Sequence, residues 1–194
     1  MEPTFLLIRH GETEWNVERR YQGQLDSPLT ARGIAQAEAI GRRLAELGEL
    51  ASAPIVASPL GRARHTAEII CAKLNRTGFE TDERLREVTL GSWDGLFRDE
   101  IAARSPGIFE THGPYEWYFH SADGERYAAF EARLAAFLAD ARRRPKLIIV
   151  AHGVVSRVLR GLYRGMPRDQ ALRLPVPQDS IFRLSEGRID ELSV

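Results

Sequence analysis

The stretch Leu6-Leu7-Ile8-Arg9-His10-Gly11-Glu12-Thr13-Glu14-Trp15-Asn16 is the most informative part of this 194-residue sequence. It joins an apolar run, residues 5–8, to a polar loop that begins abruptly at Arg9. A short, continuous apolar run is typical of a strand that is buried on both faces. A histidine beside an arginine at the end of such a strand suits a phosphate better than a metal ion. We therefore predict a covalent bond between His10 and a phosphoryl group.

Strand patterns and helix patterns alternate along the rest of the chain. The predicted strands cover residues 54–57, 79–81 and 147–150, followed by a strand pair within 180–192 that turns at Glu186-Gly187. The predicted helices cover residues 30–47, a stretch opened by Ser58-Pro59, residues 127–144 and residues 154–163. This alternation predicts an α/β fold, a three-layer sandwich with a mostly parallel central sheet flanked by helices. The length suits one sizeable core, so residues 1–194 are expected to form a single domain.

Particular side chains refine the helix predictions. Thr30 and Ser58 are expected to cap the helices that they precede, with Pro59 in the first turn of the second. Cys71, the only cysteine, is expected to be a small core residue. Helical spacing predicts that the first helix buries Ile34, Ala37, Ile40, Leu44 and Leu47. The helix over residues 127–144 is predicted to bury Phe130, Leu134, Phe137 and Leu138.

The composition excludes several classes of protein. Apolar residues make up 43% of the chain and charged residues 28%, which is typical of a soluble globular protein. The formal net charge is zero, so no overall basic field attracts nucleic acid. No apolar stretch approaches the ~18 residues of a membrane span, and the N-terminus lacks the features of a signal peptide. The cytoplasm is the expected location, and both a monomer and a homodimer remain open.

Three polar motifs directly follow predicted strands. They are Arg9-His10-Gly11, Ser58-Pro59-Leu60-Gly61-Arg62 and Ala151-His152-Gly153. The carboxyl ends of parallel strands open onto one edge of a sheet, where such folds bind ligands. Two histidines and two arginines are therefore expected to meet in one cleft.

That combination of side chains fits phosphoryl chemistry. The guanidinium groups of Arg9 and Arg62 match phosphate oxygens. Two histidines could divide the work, one attacking as a neutral nucleophile and the other stabilising charge in the transition state. Metal ligation by His10 and His152 is the alternative, but two arginines oppose a cation and metal sites favour nearby carboxylates or thiolates. We expect no metal and no other cofactor.

The same motifs resemble those of the histidine phosphatase superfamily, which has the phosphoglycerate mutase-like fold. The resemblance rests on Arg9-His10-Gly11-Glu12-Thr13 with Asn16, on residues 58–63 with Thr66, and on Ala151-His152-Gly153, and it extends from Leu6 to near Leu184. It implies that His10 becomes phosphohistidine and that Arg9, Arg62 and His152 hold the phosphoryl group. It further implies substrate contacts from Asn16, Gln22, Gly23 and Gly153.

The resemblance also implies a general acid, Glu87. That assignment rests on the spacing of the glutamate from Gly91, Trp93 and Gly95. Such a carboxyl would protonate the leaving alkoxide and then take a proton from the attacking water. A surface ion-pair glutamate is the alternative interpretation.

The segment after Glu87 favours the phosphatase branch of the superfamily. Classical mutases carry basic and tyrosine residues there, whereas this chain has Val88, Thr89 and Leu90, with Arg98 as the only basic residue in a matching place. We therefore expect metal-independent hydrolysis of a phosphomonoester. The alternatives are a cofactor-dependent phosphoglycerate mutase, and a phosphoprotein phosphatase or regulatory phosphoprotein-binding module.

Residues 98–126 are predicted to form an irregular, lid-like stretch that covers the substrate. Arg98 is expected to bind substrate, and the stretch also offers Arg104, His112, Trp117, Tyr118, His120 and Arg126. Aromatic groups beside basic groups suit a small phosphorylated metabolite, which is the expected partner, with no nucleic acid or membrane involved. The alternative is that the aromatic residues only pack against the core.

Overall fold

A six-stranded mixed sheet forms the centre of the computed structural model, which describes residues 2–194. The strands lie in the order β3-β2-β4-β1-β5-β6. The four strands from β3 to β1 are mutually parallel, while β5 and β6 are antiparallel additions at one edge. The predicted α/β fold is therefore confirmed. The strands are β1 (Thr4–Arg9), β2 (Ile55–Ala57), β3 (Glu80–Thr81), β4 (Lys146–Ala151), β5 (Ser180–Ser185) and β6 (Arg188–Ser193).

Helices cover both faces of this sheet, and the alternation of side chains along a strand explains why. Phe5 and Leu7 of β1 belong to one buried cluster, and Leu6 and Ile8 belong to another. The first cluster includes α6 and α7, and the second includes α2 and α3. The helices are α1 (Glu14–Glu18), α2 (Ala31–Ala45), α3 (Gly61–Lys73), α4 (Arg98–Arg104), α5 (Ile108–His112), α6 (Tyr127–Ala141), α7 (Gly153–Arg164) and α8 (Arg168–Leu172).

The start of α2 follows the sequence prediction, but one residue that was predicted to be buried on its apolar face is not buried. The Thr30 side chain accepts a hydrogen bond from the main-chain N–H of Gly33 and so caps the helix. Ala37, Ile40 and Leu44 are buried, as predicted, and Leu47 is half-buried beyond the helix end. The prediction for Ile34 was wrong, because its side chain is 38% exposed at the edge of the buried stripe, where Gly33 makes the close contact instead.

The predicted cap of α3 was also wrong. The helix begins at Gly61, and the hydroxyl of Ser58 instead pairs with the ring of His152, at 2.7 Å from Nε2. The carboxylate of Asp26 accepts hydrogen bonds from the N–H groups of Gly61 and Arg62, so a residue distant in sequence caps the helix. Serine before proline is a common cap pattern, and a tertiary contact overrides it here.

Residues 98–126 are more regular than predicted. They contain α4, α5 and a short 3-10 helix at Trp117–Phe119. These elements are too short for their apolar periodicity to stand out, and their stability comes from burial of Ile101, Ile108, Phe109 and Trp117. The prediction of irregular structure was wrong for this reason.

Two further predictions concern single features of the chain. Cys71 is buried with the apolar side chains of α2 and α3, as expected. The terminal strand pair turns at Glu186-Gly187, where both residues have positive φ angles of 51° and 67°. None of the helices within residues 2–194 is long and apolar enough to cross a membrane.

Candidate active site

A cavity of about 470 Å³ opens at the carboxyl ends of β1 and β4. The three motifs predicted to converge meet here, because β1, β2 and β4 end at the same edge of the sheet. The ring centroids of His10 and His152 lie 5.3 Å apart. Of the predicted site residues, the following line the cavity: Arg9, His10, Asn16, Gln22, Gly23, Arg62, Glu87 and Gly153.

His10 is held as a neutral imidazole with its lone pair on Nε2. Its Nδ1 lies 2.8 Å from the carbonyl oxygen of Gly11, and a ring nitrogen beside a carbonyl must be the protonated one. The lone pair is therefore on Nε2. Burial lowers the pKa of His10 well below its ordinary value, and the positive charges of Arg62 and Arg9 lower it further. The imidazole thus keeps its lone pair at neutral pH.

His152 has a free ring N–H, whereas His10 has a free lone pair. The Ser58 hydroxyl accepts a hydrogen bond from the N–H of Leu60 at 3.3 Å, and Nε2 of His152, 2.7 Å away, is the only acceptor that it meets among residues 2–194, which assigns the hydroxyl proton to this contact. This arrangement assigns the ring proton to Nδ1, which is buried and has no partner among residues 2–194. Burial lowers the pKa of His152, and the charge of Arg62 adds to that effect. The ring is a neutral hydrogen-bond donor beside His10.

Arg62 is anchored on one side and free on the other. Its Nη1 donates to the carbonyl of Leu25 at 2.6 Å and to Asp26 at 3.0 Å, and its Nη2 donates to the carbonyl of Gly23 at 2.8 Å. The Nε–H is buried without a protein partner in the described part of the chain. Burial lowers the pKa of Arg62, and the charge of Asp26 opposes the shift. The fork of Nε and Nη2 thus matches two phosphate oxygens.

Arg9 is held by a main-chain carbonyl in a similar way. Its Nη1 donates to the carbonyl oxygen of Val176 at 2.7 Å, and its Nε is buried with no partner within residues 2–194. Burial lowers the pKa of Arg9 to about 10, against the opposing charge of Glu87. The group therefore stays cationic near pH 7 and supplies positive charge to the cavity floor.

Glu87 lies beside this cationic cluster on a loop without regular secondary structure. Its Oε2 accepts a hydrogen bond from the N–H of Val154 at 3.0 Å, and its Oε1 accepts one from Val88 at 3.1 Å. Val154 is in the first turn of α7, so the carboxylate is at the positive end of that helix. Among residues 2–194, Glu87 is the only one that lines the cavity with a carboxylate.

The amide residues form one wall of the cavity. Asn16 Oδ1 accepts hydrogen bonds from Thr13 N–H at 3.1 Å and from Gln178 at 3.0 Å. Gln22 donates to the hydroxyl of Thr13 at 2.8 Å. Gly23 has a φ angle of +51°, and a side chain there would overlap the carboxylate of Asp94. This glycine lets the chain turn under Arg62.

Arg98 does not reach the cavity, so its predicted contact with substrate was wrong. It is the exposed first residue of α4, and its guanidinium lies 3.6 Å from the ring centroid of Phe109. An arginine on this outer surface finds an aromatic face instead of an anion. Within the lid-like stretch, Trp117 and Tyr118 line the cavity and are also packed in the core.

Several residues in and around the cavity were not predicted from the sequence to belong to the site. Asp26 and Ser58 act through Arg62 and His152, and contacts of this kind depend on the folded chain. The remaining wall is mostly apolar or basic and consists of Trp15, Arg19, Arg20, Tyr21, Val88, Leu90, Val154, Arg157 and Val176. Within residues 2–194, no group of three or more His, Cys, Asp or Glu side chains is placed to hold a metal ion.

Known proteins resemble this chain in sequence and in fold. The family model of the histidine phosphatase superfamily (branch 1) matches residues 5–189. A relative from Enterobacter sp. (strain 638), named "Probable phosphoglycerate mutase GpmB", is 36% identical over 181 residues, which cover 92% of this chain and 82% of the relative.

Two solved structures are also similar to this chain. The alpha-ribazole phosphatase from Shigella flexneri superposes with a TM-score of 0.82 at 25% identity, covering 98% of this chain and 95% of that one. The mycobacterial glucosyl-3-phosphoglycerate phosphatase in complex with VO3 superposes with a TM-score of 0.78 at 29% identity, covering 99% and 97%. The relatives thus include both named phosphatases and a named mutase.

Proposed function

This chain belongs to the histidine phosphatase superfamily, and we propose that it is a metal-independent phosphomonoesterase that works through phosphohistidine on His10. One observation carries the proposal. The lone pair of His10 Nε2 is available at a cavity that Arg9 and Arg62 also line. His152 is not part of the lining but lies beside His10, with ring centroids 5.3 Å apart. Arg9, Arg62 and His152 each have a buried N–H without a protein partner among residues 2–194. These donors suit the oxygens of a phosphoryl group that His10 attacks.

The first step moves the phosphoryl group from substrate to enzyme. Nε2 of His10 attacks the phosphorus atom, and the bond from phosphorus to the alcohol oxygen breaks. Arg9, Arg62 and the Nδ1–H of His152 offset the charge on the phosphoryl oxygens. In the substrate complex Glu87 is in its acid form and gives its proton to the departing oxygen, so that a neutral alcohol leaves.

The second step returns the enzyme to its starting state. The Glu87 carboxylate removes a proton from water, and the water oxygen attacks the phosphorus of phosphohistidine. The bond between phosphorus and Nε2 breaks, which releases inorganic phosphate and restores the lone pair of His10. Glu87 is again protonated, so protons and charges balance over one cycle.

Metal independence follows from the charges that the cavity already holds. Five arginines line it: Arg9, Arg19, Arg20, Arg62 and Arg157. Only Glu87 supplies a carboxylate, whereas sites for hard cations use several oxygen ligands. Guanidinium groups can supply the charge stabilisation that a metal ion supplies in other phosphatases.

A cofactor-dependent phosphoglycerate mutase is the second candidate, because the 36% identical relative bears that name. A mutase would return the phosphoryl group to a second hydroxyl of a bound intermediate. Val88 and Leu90, which follow Glu87, line the cavity as apolar side chains. These apolar side chains stand where classical mutases carry basic and tyrosine residues, which favours hydrolysis.

The proposed substrate is a small phosphorylated metabolite in the cytoplasm. A cavity of about 470 Å³ is within the usual range for small-molecule sites. Residues 98–126 are proposed to act as a lid through Trp117 and Tyr118, which line this cavity. A regulatory phosphoprotein-binding module would not need the nucleophile, the acid and the donors together, and this chain has all of them.

Steady-state phosphate release tests the proposal. The purified protein would be assayed with a panel of small phosphomonoesters in the presence of a chelator, including 3-phosphoglycerate with 2,3-bisphosphoglycerate. We expect phosphate release from one or a few compounds, unaffected by the chelator. Isomerisation of phosphoglycerate without phosphate release would instead establish a mutase, and loss of activity restored by zinc or magnesium would contradict metal independence.

A further inference from the structure

A partly buried ion pair contacts the loop that carries Glu87. Arg133, on α6, makes a two-pronged contact with Glu125, with Nε 2.7 Å from Oε1 and Nη2 2.8 Å from Oε2. The two side chains are 19% and 15% exposed. Neither lines the cavity, so the pair has no direct contact with a bound phosphate.

The same guanidinium reaches the main chain of the Glu87 loop. Arg133 Nη2 donates to the carbonyl oxygen of Glu87 at 3.3 Å, and Nη1 donates to the carbonyl oxygen of Arg84. The main-chain N–H of Glu125 donates to the carbonyl of Thr89 at 2.9 Å. The pair therefore holds the loop on both sides of Glu87.

The position of the loop depends on these contacts because the loop has no regular secondary structure. Residues 86–90 belong to no helix or strand. The carbonyl oxygen of Glu87 has one further donor, Gln24 Nε2 at 3.1 Å, on a neighbouring loop. Side-chain donors thus set the position of the main chain at Glu87, and that position decides where its carboxyl group meets the leaving oxygen.

We propose that Glu125 and Arg133 are positioning residues for Glu87, which hold the loop so that its carboxyl group is aligned for proton transfer to the leaving group. The proposal rests on the proposed function, because it assigns Glu87 the role of general acid. Misplacement of a catalytic group by about 1 Å can lower a rate about 100-fold. If a side chain acts only through Glu87, its replacement should affect the same substrates as the replacement of Glu87 itself.

The dependence on the leaving group measures that selectivity. An alkyl phosphate needs a proton on its departing oxygen, whereas 4-nitrophenyl phosphate releases a stable phenolate that needs little help. The value of kcat/KM reports the step up to loss of the alcohol. We expect Glu87→Gln to lower kcat/KM for the alkyl phosphate by about 10²–10⁴-fold, and much less for 4-nitrophenyl phosphate.

Arg133→Met should shift the ratio of the two kcat/KM values in the same direction, by about tenfold. Arg133→Lys and Glu125→Gln conserve size and solubility, and they test the same contacts if the methionine variant does not fold. Adding Arg133→Lys to Glu87→Gln should cause no further change in the ratio, since the group being positioned is already gone.

Arg144, three residues beyond the end of α6, provides a control. It also makes a two-pronged contact with a glutamate, from Nη1 and Nη2 to Glu80 at 3.1 and 2.8 Å, but this pair is more exposed and lies away from the cavity. Arg144→Met should leave the ratio unchanged.

The outcomes separate this proposal from the function on which it rests. If the Arg133 and Glu125 variants lower both kcat/KM values equally, the pair is merely structural and the proposal is wrong. If Glu87→Gln itself leaves the ratio unchanged, Glu87 is not the general acid, and both the acid assignment and the positioning role fail. A shift in Glu87→Gln and Arg133→Lys, with none in Arg144→Met, supports the proposal.

Discussion

At the scale of single residues, chemically similar side chains take different roles because their hydrogen-bond partners differ. His10 uses Nδ1 to donate to a carbonyl and so has a free lone pair, whereas His152 uses Nε2 to accept from Ser58 and so has a free N–H. The same logic applies to Arg62, whose Nη1 is held by Asp26 and the carbonyl oxygen of Leu25, while its Nε has no partner among residues 2–194. The partners of the two histidines, Gly11 and Ser58, lie within the motifs, whereas Arg62 depends on Asp26, which lies outside them.

Asp26 gives a direct test of that dependence. Asp26→Asn conserves shape but removes the charge that faces Arg62 and weakens the cap of α3. We expect kcat/KM for phosphate release to fall by at least tenfold, and the free energy of unfolding to fall by about 1 kcal/mol, as for other lost helix caps. Steady-state assays and chemical denaturation measure the two effects.

Asp190→Asn, on the exposed strand β6, is the control for that variant. It should change neither activity nor stability. Wild-type kcat/KM in Asp26→Asn would show that Arg62 finds its orientation without the carboxylate, and the residue-level account would then be wrong.

At the scale of elements, the His10 loop is held by close packing against the first turn of α2. A side chain at Gly11 would overlap the carbonyl oxygen of Gly33, and one at Gly33 would overlap that of Glu12. The two main chains therefore touch with no space for a Cβ atom. This contact places the loop after β1 relative to the helix, independently of the catalytic side chains.

Gly33→Ala should force these elements apart. We expect a loss of about 1–3 kcal/mol in the free energy of unfolding, as for other overpacked sites, together with reduced turnover. Gly78→Ala is the control, because within residues 2–194 a Cβ atom at that position would have no heavy atom within 4 Å apart from those of its chain neighbours. Equal melting temperatures for the two variants would show that α2 can move away from the His10 loop without loss of stability, which would contradict this prediction.

The elements also show what sequence could and could not predict. The strands β1 and β4 were predictable because uninterrupted apolar runs end in charged motifs, and those motifs placed Arg9, His10 and His152 at one sheet edge. The short helices α4 and α5 were not, because their stability comes from buried tertiary contacts. The predicted substrate contact of Arg98 was wrong for the same reason, since the position of this residue depends on the helix that it begins.

At the scale of the whole molecule, burial of two neutral histidines makes stability depend on pH. The pKa values of His10 and His152 are lowered well below the ordinary value by burial and by nearby arginines. In the unfolded chain these groups titrate near pH ~6.5. Below that pH the unfolded chain binds protons that the folded protein does not, so the free energy of unfolding decreases as the pH falls.

We therefore expect the melting temperature to fall as the pH is lowered from about 7 to about 5. His152→Gln should weaken that dependence, because the glutamine cannot take up a proton in the unfolded chain. His65→Gln changes an exposed histidine on α3 and serves as the control. A melting temperature that rises on acidification would contradict the assignment of both buried histidines as neutral.

Covalent transfer of the phosphoryl group to His10 is the central claim, and trapping the phosphoenzyme tests it most directly. The enzyme would be mixed with its best phosphomonoester, quenched rapidly in alkali, digested and examined by mass spectrometry. We predict one phosphoryl group on the peptide that contains His10, stable in alkali, lost in acid and absent from His10→Ala. Phosphate release at the wild-type rate by His10→Ala, or a phosphoryl group on another residue, would contradict the account.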